Sequence, residues 1–370
     1  MCIALLTTAH PAYKLILIDN RDEYINRPTA TASWWPTPNG SVFGGRDLLR
    51  PVQGTWLGVT KSGKIAVLTN FREDQPPVPT AVSRGEIIKK FLTENIESTD
   101  AFVREVVNQG VARDAGGFSL VCGRIAKDQN GEAEQLAVIS NRAADGSEVP
   151  WICGDVVQTV GLSNAHFHDR TWPKVQDGEV GMLNVVRENL KNYPASTDGV
   201  KSGLDDPYTQ ERESDLIEGF FELLSDDALS RRGISAEEGL ETYVLQLRNT
   251  ILVPPLGRKD PLATAKGANE KGIGMNMKPD EIAAARKEEV ATVIGNREDM
   301  GIVDNAKKQG LGVSGIYATQ KQTVVLVDQN DRVRFIEKTL FDDNCEPITN
   351  GKGIVDIQFQ IEAGTNVDAP

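Results

Sequence analysis

The two apolar runs at the start of the chain constrain the fold most. Residues 2–8 and 14–19 have the length and composition of β-strands, and the turn-like segment Ala9-His10-Pro11-Ala12-Tyr13 separates them. We therefore predict a β-hairpin at the beginning of the chain. Because a chain end that belongs to a sheet is tied down and does not fray, the first residues should have a fixed geometry inside the molecule.

The later pattern arranges sheets and helices in blocks. A second hairpin is predicted over 56–69, a helix begins near Ser83, where a capping-box pattern precedes apolar residues at helical spacing, and 27–51 is predicted as a long surface loop. Further strands are predicted at 118–125, 136–140, 156–162, 314–318, 323–328 and 333–337, and further helices at 100–111, 181–190 and 215–224. This order favours layers of largely antiparallel strands and helices over a regular βαβ alternation.

Composition limits the classes of partner and the domain organisation. With 40 Lys and Arg against 53 Asp and Glu, the net charge is −13, so nucleic acid is not expected as a partner. The longest uncharged stretch, 28–45, contains Pro and Gly, so no transmembrane segment is predicted. We predict one domain over 1–340, with insertions near 192–206 and 254–310, and an acidic tail over 341–370 outside the core.

Cys2 is the most informative single residue. A small side chain after Met1 favours removal of the initiator, and no secretory signal precedes it, so we expect a cytoplasmic protein that begins with Cys2. Such a residue carries a thiol nucleophile and an α-amino base, with pKa values of about 8.5 and about 7.7–8.0. The alternative, that Cys2 is an ordinary small residue starting a strand, stays open at this point.

Polar residues at strand ends are the other candidates. Asp19-Asn20-Arg21-Asp22-Glu23 ends the second strand beside Cys2, where an Arg could lower the thiol pKa and an Asp could hold the ammonium group. Asn70 and Asn164 each follow an apolar run and a hydroxyl residue, and their amides could donate to an oxyanion. Solvated charges and turn asparagines are the ordinary alternatives.

Two apparent motifs do not indicate sites. The glycine pattern over 310–315 precedes a strand, the reverse of the order that a dinucleotide-binding turn requires. His166-Phe167-His168 has no further ligands in register, so no metal site is expected.

A set of motifs in fixed order resembles the NRDE family, also called transport and Golgi organisation protein 2. The motifs are Met1-Cys2-Ile3, Asn20-Arg21-Asp22-Glu23, Gly54-Thr55-Trp56-Leu57-Gly58, Leu68-Thr69-Asn70-Phe71-Arg72, Ser83-Arg84-Gly85, Gly161-Leu162-Ser163-Asn164-Ala165 and Trp172-Pro173-Lys174-Val175. The resemblance implies an α+β fold, a four-layer αββα sandwich of antiparallel sheets like that of N-terminal nucleophile hydrolases, in which the mature Cys starts a central strand.

The resemblance also assigns roles. It makes Cys2 the nucleophile, Asp22 the group that orients the amine, and Asn70 and Asn164 the oxyanion donors. Arg21 departs from the pattern of the related acylases, which keep their Arg three residues before the Asp. Here the two residues are adjacent, and strand alternation sends their side chains to opposite faces. At Tyr317-Ala318-Thr319-Gln320, many relatives show Tyr-Gly-Thr-Arg, and Lys321 could replace that Arg only after a shift of register.

The implied function has two alternatives. One is a protein of Golgi organisation, secretion and haem or lipid handling whose Cys2 pocket hydrolyses an amide or a thioester. The other is a non-catalytic protein that binds and transfers haem. Neither requires a resident cofactor, and haem would be a ligand. The resemblance would associate this cytoplasmic protein with the Golgi or with mitochondria.

Overall fold

The computed structural model describes most of the chain. The described residues are 2–36, 41–70, 83–111, 115–125, 134–192, 207–230, 243–257, 316–342, 344–349 and 351–362. The insertions predicted near 192–206 and 254–310 fall almost entirely outside these ranges, as do Phe71 and Arg72.

The described strands and helices fall into thirteen strands and four α-helices. The strands are β1 Ile3–Thr7, β2 Tyr13–Tyr24, β3 Thr29–Trp34, β4 Val42–Asp47, β5 Leu57–Thr60, β6 Lys64–Asn70, β7 Phe118–Arg124, β8 Gln135–Ser140, β9 Trp151–Cys153, β10 Thr159–Leu162, β11 Tyr317–Asp328, β12 Arg332–Thr339 and β13 Ile354–Gln360. The helices are α1 Arg84–Thr93, α2 Thr99–Val103, α3 Pro173–Asn192 and α4 Pro207–Leu224.

The strands form two antiparallel sheets. Sheet A has the order β10-β1-β2-β11-β12-β13, so strands from both ends of the chain lie side by side. Sheet B is a meander in sequence order from β3 to β9. The hairpins predicted at 2–19 and 56–69 are confirmed as β1–β2 and β5–β6.

Three apolar layers hold the sheets and helices together. The first lies between the sheets and includes Leu6, Leu17 and Val67. The second packs α1 and α2 on sheet B, and the third packs α3 and α4 on sheet A. The molecule is therefore an αββα sandwich, and the predicted fold class is confirmed.

The alternation of β1 shows how the sequence produces these layers. Ala4 and Leu6 face sheet B, whereas Ile3 and Leu5 face the helices. All four are completely buried, as expected for an inner strand covered on both faces. The strand is apolar throughout because neither of its faces meets water.

Two sequence predictions about elements are wrong. The segment 27–51 contains β3 and β4, because glycines here permit close strand pairing: a Cβ on Gly44 would lie 2.5 Å from the Leu57 carbonyl oxygen. The acidic tail is not wholly outside the core. β13 pairs with β12, and Ile361 is buried, so the tail completes sheet A.

None of the described helices combines the length and hydropathy needed to cross a membrane.

Candidate functional site

The first residue of the site lies where β1 begins. Cys2 is 7% exposed, and its carbonyl oxygen accepts a 2.7 Å hydrogen bond from the Ser163 hydroxyl, just beyond β10. Its thiol points towards the Asp22 carbonyl oxygen at 3.8 Å. The two neighbours of β1 in sheet A thus fix the nucleophile candidate from both sides.

Asp22 is held from β11. Its Oδ1 accepts a 2.6 Å hydrogen bond from the Thr319 hydroxyl, whose oxygen in turn accepts from the Val253 amide at 2.9 Å. The Tyr317 hydroxyl donates to the Asp22 carbonyl oxygen at 3.1 Å. The carboxylate therefore has a fixed orientation, set by a strand about three hundred residues later in the sequence.

Asn70 and Asn164 meet where the two sheets come together. The Asn164 side-chain amide donates to the Asn70 carbonyl oxygen at 2.5 Å, and the Thr69 hydroxyl donates to the Ser163 carbonyl oxygen at 2.7 Å. The Ser163 hydroxyl, which binds Cys2, also lies 3.2 Å from Asn164 Oδ1. These contacts join the ends of β6 and β10 next to Cys2, and Asn70 contributes its backbone carbonyl to them.

Arg21 and Asp22 have different partners, as strand alternation predicts. The Arg21 guanidinium lies 4.5 Å from the centre of the Trp56 ring, 3.8 Å from Asp47 Oδ2, and in contact with the Gln320 side-chain oxygen. It faces the space between the sheets. Extending the β1–β2 register, in which Ile3 pairs with Asn20, by one residue places Arg21 opposite Cys2.

The departure at Gln320 has a structural explanation. The register of β11 against β2 shifts between Thr319 and Lys321, and Gln320 is the extra residue. Its side-chain amide donates to the Ile25 carbonyl oxygen at 3.0 Å. Lys321 points inward, but its ammonium binds Glu337 at 3.1 Å, and it is therefore engaged in an internal ion pair.

Burial controls the electrostatics of the site. The pKa of the Cys2 thiol is raised to about 11, mainly by desolvation and also by the nearby Asp22 and Asp19. Lys174, at the start of α3, is completely buried; desolvation lowers its pKa, against the opposing effect of Asp22 and Cys2. Burial also raises the pKa of Asp19 well above its usual range. The thiol at rest is therefore neutral and needs a base.

Several residues of this site had no role in the sequence prediction. They are Ser163, Lys174, Tyr317, Thr319 and Arg84. Burial lowers the pKa of the Arg84 guanidinium, and the charge of Cys2 acts against that shift. All except Thr319 and Tyr317 stand inside motifs that carried the resemblance. These motifs could be recognised in the sequence, but nothing in the sequence showed which residue of each motif lies near Cys2.

The histidines lie in other surroundings. His10 is buried, with Nε2 3.3 Å from both Asn189 Oδ1 and Arg212 Nη2, and desolvation lowers its pKa to about 4. His166 and His168 line a pocket of about 160 Å³. Within the described ranges, no group of three or more His, Cys, Asp or Glu side chains is arranged to hold a metal ion.

Comparison with known proteins gives a family and several relatives. The family model described as Transport and Golgi organisation 2 matches residues 1–342. An uncharacterized protein of Saccharomyces cerevisiae is 26% identical over 359 residues, covering 92% of each chain. The Mus musculus transport and Golgi organization 2 homolog is 30% identical over 179 residues, which is 48% of this chain and 60% of that protein.

Two solved structures are also similar. The Caenorhabditis elegans N-acylethanolamine-hydrolyzing acid amidase ortholog has a TM-score of 0.33 and 14% identity, covering 62% of this chain and 87% of that chain. The C2A mutant of the conjugated bile acid hydrolase from Clostridium perfringens has a TM-score of 0.31 and 10% identity, covering 100% of both chains.

Proposed function

The chain belongs to the transport and Golgi organisation 2 family, and from this premise we propose that it is a hydrolase that uses the Cys2 thiol to cleave an amide or a thioester. The observation that carries the proposal is the set of contacts around Cys2. The Cys2 thiol, at the start of an inner strand, lies 3.8 Å from the carbonyl oxygen of Asp22, whose carboxylate is held by Thr319. The Cys2 carbonyl oxygen accepts from the Ser163 hydroxyl, which also lies near Asn164. An ordinary strand residue would not need these buried polar neighbours.

The first chemical step is attack by sulfur on the substrate carbonyl. After Met1 is removed, the α-amino group of Cys2 accepts the thiol proton, and the Asp22 carboxylate stabilises the ammonium that forms. The Asn164 side chain holds the Asn70 backbone with one N–H, and its second N–H is the donor we assign to the oxyanion, together with the Asn70 side chain.

The second step releases the product. The ammonium returns its proton to the leaving amine or thiol as the carbon–heteroatom bond breaks, and an acyl-thioester remains on Cys2. Water then attacks this thioester with the amine as base and regenerates the thiol. The contacts of Arg21 are with Gln320 and the Trp56 ring, on the side that faces sheet B, and not with Asp22. We therefore assign Arg21 to positioning the substrate from the space between the sheets.

Variants at Cys2 provide the test. Intact mass would first establish whether Met1 is absent, and purified wild type, Cys2→Ser and Cys2→Ala would then be assayed against acyl-amides and acyl-CoA thioesters. We expect turnover in wild type, a loss of at least about 10³-fold in Cys2→Ala, and an acyl adduct on Cys2 by mass. Equal rates in all three proteins would refute the proposal.

The cellular role follows the names of the relatives. We propose that the reaction serves the transport and Golgi processes after which they are named, with haem or lipid handling as the context. Haem binding without chemistry stays a prediction from the sequence alone. A titration of the wild-type protein that shows no Soret shift at micromolar concentration would exclude it.

A further inference from the structure

The face of sheet A that packs on sheet B is apolar away from Cys2 and becomes polar in the row of residues next to Cys2. Farther from Cys2, Leu6, Leu17 and Val325 form a row across three paired strands, and all belong to the apolar layer between the sheets. The next row towards Cys2 has Ala4 opposite Asp19 and Asp19 opposite Thr323. An acid and a hydroxyl thus occupy positions where the strands otherwise place aliphatic side chains.

Each of these two residues has a buried polar atom without a partner. Asp19 is 1% exposed and Thr323 is 0% exposed, and neither Asp19 Oδ2 nor Thr323 Oγ1 has a hydrogen-bond partner among the described residues. In contrast, Glu337, at the end of the same row, binds the Lys321 ammonium and the Ala32 amide. A buried polar group without a hydrogen bond destabilises the fold, so such a pair indicates a ligand.

The position of the pair is next to the nucleophile. When the β1–β2 register is extended by one residue, Cys2 lies opposite Arg21 and Asp19 is its diagonal neighbour; diagonal neighbours are about 7–8 Å apart. The side chains of Cys2 and Asp19 bridge part of that distance. An acyl group held with its carbonyl at the Cys2 sulfur would extend towards this pair, and a hydroxyl near its carbonyl end is the group that could meet Asp19 and Thr323.

The chemistry of the pair selects a neutral ligand. Burial raises the pKa of Asp19 well above its usual range, with Asp22 adding to the effect and Arg21 opposing it, so the protonated acid is favoured. A carboxylic acid and a hydroxyl both donate and accept hydrogen bonds. An alcohol complements them, whereas an ammonium or a carboxylate would lose its hydration without a counter-charge.

We propose that Asp19 and Thr323 form a subsite that binds a hydroxyl group on the acyl part of the substrate, at the second or third carbon. This rests on the proposed function, because the acyl group is the part that Cys2 would retain. The chemical class is a short hydroxyacyl amide or thioester, and a bound water is the competing occupant.

The kinetic test compares p-nitrophenyl propionate with its 2-hydroxy and 3-hydroxy analogues. Cys2 sulfur forms a thioester as the ester C–O bond breaks, the thiol proton passes to the α-amino group, and p-nitrophenolate leaves. In wild type we expect one hydroxylated ester to acylate Cys2 about tenfold faster than propionate, the value of one buried hydrogen bond. In Thr323→Val, which keeps the shape and removes the hydroxyl, this ratio should fall to about 1.

Thr99→Val is the matched control. The Thr99 hydroxyl is also buried and without a partner among the described residues, but it lies in α2 on the far side of sheet B. This variant should keep the wild-type ratio. A wild-type ratio near 1 for both hydroxylated esters, or an unchanged ratio in Thr323→Val, would overturn the subsite.

A binding measurement separates this inference from the hydrolase proposal. Lactamide, 3-hydroxypropionamide and propionamide would be titrated by NMR into the unreactive Cys2→Ala protein, with and without Thr323→Val. Tighter binding of one hydroxylated amide that is lost with Thr323→Val supports the subsite even if no ester acylates wild-type Cys2 and the hydrolase proposal fails. Equal binding of all three amides, or a complex in which only water lies between Asp19 and Thr323, would overturn it.

Discussion

A thiol that is difficult to ionise is at the centre of this molecule. Cys2 is enclosed, and desolvation raises its pKa to about 11. A nucleophile in this state gains reactivity only through a base that accepts its proton within the site. The α-amino group of the processed chain is such a base, so removal of Met1 should act as an activating step.

Alkylation kinetics test this at the residue scale. In the chain that retains Met1, the rate of Cys2 modification by iodoacetamide should rise about tenfold per pH unit and show no plateau below pH 10, because the thiolate fraction limits the rate. In the chain without Met1, the rate near neutral pH should be higher. Peptide mass mapping would report Cys2 separately from Cys122 and Cys153. A plateau by pH 8.5 in the Met1 form would contradict the prediction.

His10 should make the stability of the protein depend on pH. Its pKa falls from about 6.5 in the unfolded chain to about 4 in the fold, because burial disfavours the imidazolium. Between these values the unfolded chain binds more protons, so the free energy of unfolding falls as the pH drops from 6.5 to 4. The loss attributable to His10 is at most about 3 kcal/mol.

Urea unfolding at pH 7 and pH 4.5 measures this effect. In His10→Gln, which keeps an amide near Asn189 and cannot titrate, the difference between the two pH values should be smaller than in wild type. Equal differences in both proteins would show that other groups cause the acid sensitivity.

At the residue scale, the sequence indicated candidate site residues more readily than it indicated their positions in the fold. The proximity of Cys2 to Asp22 could be anticipated because a hairpin brings the end of its second strand to the start of its first. Lys174 and Thr319 could not, because a lysine or a threonine gives no sign of burial until the strand and helix around it are placed. The roles of Asn70, Asn164 and Arg21 stay predictions.

At the element scale, the loop before β5 and the start of α1 depend on two glycines. A Cβ on Gly54 would lie 2.6–2.8 Å from three backbone atoms of Gly85, so the two backbones touch with no space for a side chain. This contact places α1, and Arg84 with it, against sheet B.

Gly54→Ala should therefore destabilise the protein by about 1–3 kcal/mol, since backbone must move to admit the methyl group. Thermal unfolding would measure the change. Gly116→Ala is the matched control, because its Cβ would come no closer than 3.9 Å to Arg84, and its effect should stay within about 0.5 kcal/mol. A neutral Gly54→Ala would show that the loop is not fixed by this contact.

The prediction of strands and helices succeeded where the apolar residues had a regular spacing. It failed where glycine is compatible with either a turn or a close contact between strands. The hairpins and α1 follow from alternation and helical spacing. The Gly- and Pro-rich segment 27–51 was predicted as a loop, because glycine in sequence signals a turn as readily as a close strand contact. Only the neighbouring strand β5 distinguishes the two.

At the scale of the whole molecule, a buried ion pair within sheet A also contacts sheet B. Lys321 and Glu337 are 1% exposed and 3.1 Å apart on neighbouring strands of sheet A, and Glu337 also accepts from the Ala32 amide in β3 of sheet B. The pair ties the site end of the sandwich together across the inter-sheet layer.

Lys321→Met should cost about 3–5 kcal/mol in the free energy of unfolding, because it leaves the Glu337 carboxylate buried without its counter-charge. The double variant Lys321→Met with Glu337→Gln should cost less than Lys321→Met alone, since the amide is neutral and can still accept from Ala32. Urea unfolding of wild type and the two variants measures the order. A double variant less stable than the single one would contradict this account.

The four-layer architecture was predictable from the family resemblance, but the path of the chain through it was not. An acidic stretch after residue 340 looks dispensable in sequence, yet β13 completes sheet A and Ile361 is buried there. The net charge of the tail gave no sign that alternate residues, Val355, Ile357 and Phe359, pack on the core.

The pairing of β2 with β11 also determines when the site can be assembled during synthesis. Sheet B is formed by strands that follow one another in the sequence. In sheet A, by contrast, Ile18 of β2 can pair only after Val324 of β11 has left the ribosome. Non-local pairing closes late because a long loop must first be ordered. A nascent chain can thus complete one half of its sandwich while Asp22 still lacks Thr319, and the surroundings of Cys2 are complete only after β11 has been synthesised.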